Sequence, residues 1–279
     1  MPTTRRDVAP ETLARQVVED TPNLTRVPIV VKVGGSSEEN APAILANVAA
    51  LRKAGALPVV VHGGGPEITR RLQQQGVPTT FHRGRRVTDQ ATLAVALAIL
   101  AGQVNKELVR LLQNQGIQAI GLSGVDGGLL LAERRDPELG LVGEVTAVDT
   151  GLLRLLLERG AVPVIAPLAL EATGERAILN VNADSVAGAV ARALPAEALL
   201  FLTDVDGVLA ADGSPMPRLT GNDVAALIAS GVVSGGMIPK VEACLLARSA
   251  GARAVILDGR QPQAALRWLS GCQLGTLFC

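Results

Sequence analysis

The chain has 279 residues, a mass of 28.7 kDa and no net charge, with 26 basic and 26 acidic side chains. This balance excludes the long-range field of a nucleic-acid-binding or membrane-surface protein, so we expect neither partner, and a local site must hold any bound anion. Three cysteines without metal-ligand spacing, only two histidines, no apolar run of roughly 18 residues and no signal-peptide core together predict a cytoplasmic protein without a metal site of its own.

Polar residues 1–26 form an N-terminal extension with a possible helix at 10–20. Beyond them, short β-branched runs alternate with helical patterns, which predicts an α/β fold: a three-layer αβα sandwich around a mostly parallel open sheet. The expected strands cover 29–33, 57–62, 119–123, 162–167, 198–204 and 254–258. The expected helices cover 41–55, 66–76, 89–115, 150–160, 184–194 and 240–251.

Glycine-rich turns follow the first two strands. Lys32, one of only four lysines, lies near the end of the first strand and precedes Gly34 and Gly35, while the second strand ends in "HGGGPE" with Gly64 and Gly65. Ligands bind beyond the carboxyl ends of parallel strands, where glycines and a helix N-terminus can present N–H groups to an anion. This edge therefore predicts a phosphate or carboxylate site facing Lys32. The competing interpretations are ordinary strand-to-helix turns and a lysine on an exposed sheet edge.

The segment "GRRVTD", residues 84–89, offers Arg85 and Arg86, and a guanidinium group is the usual partner of a carboxylate. The helical pattern at 89–115 that follows would be roughly 40 Å long. Its first half is apolar nearly all round, which fits a central core helix or a subunit-interface helix equally well. We interpret Lys106 as part of its solvated side.

Two insertions, at 128–145 and 170–182, have Gly or Pro turn signals typical of hairpins. Hairpins of this kind at one edge of a sheet often form a lid over a site. A further turn is expected at 210–215.

The segment "NVNADSVAG" combines Asn180, Asn182 and Asp184 at the start of a helix. Asp184 could be the N-cap of that helix, with both asparagines in the turn before it. Alternatively, the two amides and the carboxylate could hold a polar substrate and orient two ammonium groups.

The last two segments of interest are "LTDVDGVL" at 202–209 and "SGGMIPK" at 234–240. The first places acidic residues and a glycine after a strand, as expected near a nucleotide or a metal. The second places Lys240 at the start of a helix, where a cation opposes the helix macrodipole. A lysine in that position indicates an anion to bind, although solvated lysines are common.

In this order, the segments "KVGG", "HGGGPEI", "RVTD", "NVNAD", "LTDVDGVL" and "SGGMIPKVEA" resemble the amino acid kinase family, and within it the N-acetylglutamate kinases, from about Val27 to Thr276. The resemblance implies phosphorylation of the γ-carboxylate of N-acetyl-L-glutamate by ATP in arginine biosynthesis, with Mg²⁺ held mainly through the ATP phosphates. It also implies an acyl-acceptor and dimerisation lobe at 27–178, a nucleotide-binding lobe at 179–279, and dimers that pair through the helix matching 89–115.

The resemblance also assigns roles. Lys32 would draw the γ-phosphoryl group toward the attacking carboxylate, Lys240 would neutralise charge on the leaving ADP, and Asp184 would hold both ammonium groups in place. The substrate-binding residues would be Gly64, Gly65, Arg86, Asn180 and Asn182, with Arg86 and Asn180 on the α-carboxylate. The nucleotide-binding residues would be Gly34, Gly35, Thr203, Asp204, Val205, Gly207 and Met237.

The sequence departs from the family pattern in two places. Arg85 stands where Leu is common, so a different polarity is expected at the substrate edge. The C-terminal segment keeps "LGT" but lacks the His and Glu of arginine-inhibited members, and Gln263 lies about where that His would be. An N-terminal helix is nevertheless a feature of hexameric inhibited enzymes. Arginine inhibition and the choice between dimer and hexamer therefore stay open.

Two alternative functions are compatible with the same fold. A kinase of carrier-linked aminoadipate or glutamate in lysine biosynthesis would need a basic surface around the acceptor pocket, and "HGGGPE" with "RVTD" argues against it. A non-catalytic amino-acid sensor would have no reason to keep Lys32, Asp184 and Lys240 together.

Overall fold

The computed structural model describes residue 24 and residues 26–34, 40–82 and 84–279. The possible helix at 10–20 and the predicted site residue Gly35 lie outside the described residues.

The centre of the protein is an eight-stranded sheet. Its strands are β1 (Pro28–Val33), β2 (Leu57–His62), β5 (Ala119–Ser123), β8 (Val162–Ala166), β11 (Ala198–Thr203), β12 (Arg218–Leu219), β13 (Arg253–Asp258) and β14 (Thr276–Phe278). They lie in the order β12-β14-β13-β11-β1-β2-β8-β5, and neighbours pair in parallel except β13 with β14. The long apolar strands are buried on both faces, as parallel strands between helical layers must be.

Helices cover both faces of this sheet, which confirms the predicted three-layer αβα sandwich. They are α1 (Ala41–Lys53), α2 (Gly65–Gln74), α3 (Gln90–Asn114), α4 (Gly151–Glu158), α5 (Ala183–Ala193), α6 (Gly221–Ala229), α7 (Ile238–Ser249) and α8 (Ala264–Leu269). One core cluster joins Val30 and Phe201 to α4, α5 and α7. The other joins Val31 and Leu200 to α1, α8 and the last turns of α3. Successive strand residues thus face opposite layers.

A second, smaller closed sheet forms from the two predicted hairpin insertions. Its strands are β6 (Leu130–Glu133), β7 (Val142–Val148), β9 (Leu168–Glu171) and β10 (Ile178–Val181). Strand β6 pairs antiparallel with β7, and β9 with β10, as hairpin strands do. A short hairpin pairs two strands of two residues each, β3 (Phe81–His82) and β4 (Arg85–Arg86). This hairpin and the strands β7 and β10 line one cavity. The insertions therefore border a pocket, as the lid interpretation requires.

The long helix α3 contains a π-helical segment, Ala98–Val104, between two α-helical parts. Leu93 and Ala96 are buried on one side, whereas Ala91, Ala94 and Ala98 are exposed on the other. By length and composition α3 could also span a membrane, but its buried side packs within the protein. Lys106 is exposed, as predicted.

Candidate active site

Lys32 lies on a central strand, between β2 and β11. The interpretation of an exposed sheet edge is therefore wrong. The strand alternation places Lys32 on the same face as Val30, which is the face covered by α5 and α7. The residue is 6 % exposed, and its Nζ lies 2.8 Å from Oδ1 of Asp184.

Asp184 lies in the first turn of α5, and the N-cap of that helix is Asn182. The Asn182 Oδ1 accepts hydrogen bonds from the backbone N–H groups of Asp184 at 2.8 Å and Ser185 at 3.1 Å. The N-cap interpretation of Asp184 is therefore wrong by two residues. Because Asn182 satisfies the backbone groups, the carboxylate of Asp184 is free to bind other groups.

Lys240 reaches the same carboxylate from α7. Its Nζ donates to Oδ2 of Asp184 at 3.0 Å and to the backbone carbonyl of Gly236 at 3.0 Å. Helices α5 and α7 approach closely because Gly188 has no side chain, and a Cβ there would lie 3.0 Å from the Cα of Ala243. One carboxylate thus binds two ammonium groups that come from distant parts of the chain.

Charge and burial oppose each other in this cluster. Burial alone raises the pKa of the Asp184 carboxyl, but the charges of Lys32 and then Lys240 outweigh it, so this pKa lies below its usual value. Burial also lowers the pKa of Lys32, and Asp184 opposes that effect. The Asp184 carboxylate therefore opposes the effect that burial has on the pKa of Lys32, and it also binds Lys240.

The turn after β2 carries Gly64 as N-cap of α2 and Gly65 as its first residue. A Cβ on Gly64 would lie 2.8 Å from Cδ2 of Leu100, so only glycine fits against α3. Arg86 lies beside this turn and donates from Nη2 to the backbone carbonyl of Gly65 at 3.0 Å and to Oγ1 of Thr69 at 2.8 Å. The Nη1 of Arg86 is buried and has no hydrogen-bond partner among the described residues.

A cavity of about 710 Å³ joins these parts. Its lining includes Lys32, Gly64, Gly65, Arg85, Arg86, Glu144, Asn180, Asn182, Asp184 and Glu242. Asn180 donates from Nδ2 to Oγ1 of Thr88 at 3.2 Å, and Arg86 stacks on Phe81 with Cζ 4.9 Å from the ring centroid. The structure therefore brings together every predicted catalytic and substrate-binding residue around one opening, with Lys240 behind Asp184.

The predicted nucleotide-binding residues that the structure describes lie outside the lining of this cavity; they are Gly34, Thr203, Asp204, Val205, Gly207 and Met237. Gly34 nevertheless continues β1 alongside β11, since its N–H donates to the carbonyl of Leu202 at 3.0 Å. A Cβ on Gly34 would lie 2.6 Å from the Nζ of Lys32, so a side chain there would displace the ammonium group. Thr203 follows on β11 and donates to Asp204 at 3.0 Å. Val205 and Gly207 continue this loop, and Met237 ends the 3₁₀ turn Gly235–Met237 before α7.

Two contacts at the site have no signal in the sequence. Arg85 donates from Nη1 to Oε1 of Glu144 at 2.8 Å and so joins the β3–β4 hairpin to β7 across the mouth of the cavity. His62, at the end of β2, is buried and bonded to Asn105 of α3. Both pairs join residues far apart in the chain, which no local pattern reveals.

His82 lies between Asp136 and Glu138, and the three groups are close enough together to hold a metal ion. Its Nε2 is 3.6 Å from Asp136 Oδ2, whereas its Nδ1 is 3.2 Å from Glu138 Oε2. Because the two ring nitrogens point in different directions, the carboxylates do not converge on one nitrogen. This arrangement suits contacts to the ring better than a shared ion, and the expected absence of a metal site stays a prediction.

Comparison with known proteins places this geometry in context. Residues 28–258 match the model of the amino acid kinase family. The chain belongs to this family. An acetylglutamate kinase of Dehalococcoides mccartyi is 42 % identical over 252 residues, covering 89 % of this chain and 93 % of the relative. An acetylglutamate kinase of a Jannaschia species is 45 % identical over 260 residues, covering 91 % of this chain and 90 % of the relative.

Solved structures of other proteins agree with the amino acid kinase fold. A protein from Streptococcus mutans UA159 superposes with a TM-score of 0.78 at 30 % identity, covering 90 % of this chain and 98 % of its own. The carbamate kinase of Giardia lamblia bound to AMP-PNP gives a TM-score of 0.65 at 16 % identity, covering 91 % and 98 % of the two chains, and supports the fold alone.

Proposed function

We propose that this protein transfers the γ-phosphoryl group of ATP to the γ-carboxylate of N-acetyl-L-glutamate, giving an acyl phosphate and ADP in arginine biosynthesis. The observation that carries the proposal is the convergence of Lys32 and Lys240 on Asp184 beside a glycine turn, in a chain 42–45 % identical to acetylglutamate kinases. Such a cluster suits transfer between two anions, where electrostatic repulsion is the main obstacle.

The acceptor would bind at the end of the cavity that holds Arg86. The buried Nη1 of Arg86 lacks a hydrogen-bond partner among the described residues, and an unsatisfied buried guanidinium nitrogen favours a carboxylate ligand. Asn180 would hold the same α-carboxylate, and Gly64 and Gly65 would bind the acceptor through backbone N–H groups. Asn182 uses its side-chain oxygen for the helix cap, so only its amide nitrogen is left for a substrate.

The reaction requires no general base, because a carboxylate is already ionised and nucleophilic at neutral pH. Lys32 would pull the phosphoryl group toward the acceptor, and Lys240 would neutralise the charge that stays with ADP. Asp184 would hold both ammonium groups in place before substrate binds. Preformed cations of this kind stabilise the charge of a loose transition state without reorganisation at the moment of transfer.

The nucleotide would lie at the edge formed by Gly34, Gly35 and the loop from Thr203 to Gly207, with Met237 nearby. The close approach of Gly34 to Lys32 fits a polyphosphate held against bare backbone. Both oxygens of Asp184 are engaged by lysines, so Mg²⁺ would be held mainly through the ATP phosphates. We assign acceptor binding and dimerisation to residues 27–178 and nucleotide binding to residues 179–279. We also propose that the protein is cytoplasmic.

An ATP-dependent hydroxamate assay tests this function. Acyl phosphates react with hydroxylamine, so turnover can be compared for N-acetyl-L-glutamate, glutamate, aspartate and aminoadipate, each with and without arginine. We expect hydroxamate from the acetylated substrate alone. Turnover of free glutamate but not of its acetylated form would contradict the substrate assignment. Nucleotide or amino-acid binding without any turnover would favour the sensor alternative.

A further inference from the structure

His62 and Asn105 form a buried polar pair behind the glycine turn. Strand alternation places His62 on the same face of the sheet as Val60, which is the face covered by the last turns of α3. Asn105 is fully buried, and its Nδ2 lies 2.8 Å from the carbonyl of Val164, 3.1 Å from Nε2 of His62 and 3.2 Å from the carbonyl of Leu122. The amide nitrogen must face Val164, because a carbonyl can only accept.

The orientation of Asn105 sets the tautomer of His62. Lys106 donates to Oδ1 of Asn105 at 3.0 Å, which agrees with the amide orientation set by Val164. An amide nitrogen cannot accept a hydrogen bond, so Nε2 must be the unprotonated nitrogen of the neutral ring and the ring proton sits on Nδ1. That nitrogen lies 2.8 Å from the backbone carbonyl of Gly63 and therefore donates to it.

The ring is neutral as well as fixed. Burial lowers the pKa of His62 to about 4, the hydrogen bond to Gly63 only partly opposes this, and the charges of Lys32 and Lys106 lower the pKa further. A protonated ring would also place an N–H group against the N–H of Asn105. One tautomer therefore persists over the neutral pH range.

The π-helical segment of α3 supports the same turn from the side. Leu100 and Val104 lie within this segment, and a Cβ on Gly64 would be 2.8 Å from Leu100 Cδ2 and 3.5 Å from Val104 Cγ2. Asn105 is the first residue after the segment. Such π segments frequently occur at functional sites, because the wider turn shifts the side chains that follow it.

We propose that Asn105 and His62 are positioning residues that orient the Gly63–Gly64 peptide for phosphoryl transfer. A trans peptide is planar, with its C=O and N–H on opposite sides. Holding the Gly63 carbonyl on the His62 side therefore turns the Gly64 N–H the other way. The identity of the substrate that the Gly64 N–H binds rests on the proposed function, whereas the positioning of the Gly63–Gly64 peptide does not.

Asn105→Leu tests the proposal, with Asn47→Leu as a matched control. Asn47 is also buried and also bridges backbone groups, but these belong to Gly259 and to Ala265 of α8, and none of its hydrogen bonds with described residues goes to the glycine turn. We expect Asn105→Leu to raise amide hydrogen exchange at Gly63–Gly65 by about 10-fold or more and to lower kcat about 10-fold, with KM for ATP changed less than about threefold. Asn47→Leu should lower Tm similarly without loosening the turn.

Equal loosening of the turn by both variants, or no change of exchange in Asn105→Leu, would overturn the positioning role. The exchange measurement uses the wild-type protein and its variants without substrate. If the wild type fails to phosphorylate N-acetyl-L-glutamate, the proposed function fails, and the exchange result still decides the inference.

Two substitutions of His62 separate positioning from general stability. An Asn side chain at this position can still donate to the Gly63 carbonyl, whereas a Gln side chain can still accept from Asn105 but reaches past Gly63. We expect His62→Asn to keep about 10-fold more kcat than His62→Gln, whatever the order of their Tm values. If kcat instead follows Tm across the two variants, His62 has a structural role only.

Discussion

At the scale of single residues, Lys32 explains why this site uses a lysine. Its Nζ lies 2.8 Å from Asp184, and a Cβ on Gly34 would be only 2.6 Å from the same Nζ. A compact ammonium group fits this gap, whereas the planar fork of an arginine is broader.

We therefore expect Lys32→Arg to lower kcat by roughly 10²–10³-fold, because the displaced charge no longer meets the phosphoryl group. Steady-state kinetics and a thermal melt measure the two effects separately, and Tm should change little. Lys53→Arg, at the exposed end of α1, is the control. Near-normal turnover of the Lys32→Arg variant would contradict this explanation of why β1 carries a lysine at the site.

His62 should make the fold sensitive to acid. Its pKa is about 4 in the folded chain and 6.5 in an unfolded one, so the unfolded state binds the proton more tightly. This contribution to the free energy of unfolding is fully present above pH 6.5 and is lost as pH falls toward 4, by roughly 3 kcal/mol in total. Urea midpoints between pH 7.5 and 4.5 measure it. His62→Asn should flatten the profile.

For single residues, the sequence predicted the site residues that lie in recognisable local motifs. The position of Lys32 at the end of an apolar strand before two glycines, and the family motifs, identify Lys32, Asp184 and Lys240 as candidates, and the structure brings them together. The cap was misplaced because Asn182 and Asp184 are both good caps, and only the helix start at Ala183 decides between them. Asn105 was missed because its partners at His62 and Val164 lie 43 and 59 residues away.

At the scale of elements, the contact between α5 and α7 sets the distance between Asp184 and Lys240. Gly188→Val places two methyl groups where even a Cβ would be 3.0 Å from Ala243. We expect the helices to separate, kcat to fall about 10-fold or more and Tm to fall by several degrees. Gly221→Val, at the open start of α6, is the matched control. Kinetics and calorimetry check both variants, and an unchanged kcat at Gly188 would show that the helices can adapt.

The predicted elements are confirmed where they are long and periodic. All six expected strands and the helices at 41–55, 66–76, 150–160, 184–194 and 240–251 are present within a few residues. Strands β12 and β14 have two and three residues, too few to show a period. The π-helical segment was missed because one widened turn leaves an apolar pattern almost unchanged, and the closure of the small sheet depends on pairings between distant strands.

At the scale of the whole molecule, the exposed side of α3 bears on assembly. Ala91, Ala94 and Ala98 present a surface of small residues that lets another helix approach closely. We propose a homodimer, or a hexamer built from dimers, paired through α3.

Ala98→Glu should therefore halve the mass measured by light scattering, from dimer to monomer or from hexamer to trimer, because it buries a charge at the contact. Ala225→Glu, on the exposed side of α6, should not. A wild-type protein that is already a monomer, or an Ala98→Glu variant of unchanged mass, would contradict the assignment of this surface.

The whole-molecule function came from the family resemblance, which covers nearly the whole chain, and the comparisons confirm the family. The division into lobes stays a prediction, because the eight-stranded sheet runs continuously through both. Gln263, which lies about where arginine-inhibited members carry a His, is the N-cap of α8 and has a left-handed conformation with φ 54°.

The carboxylate of Asp184, shared by two lysines, affects the choice of assay buffer. Two ammonium groups on one carboxylate leave this trio with one surplus positive charge before any nucleotide arrives. Sulfate and inorganic phosphate are small enough to bind to this positively charged cluster, and they should compete with ATP at millimolar concentrations. Turnover recorded in phosphate or sulfate buffers should thus be lower than in chloride or acetate at the same ionic strength, and the deficit should vanish at saturating nucleotide.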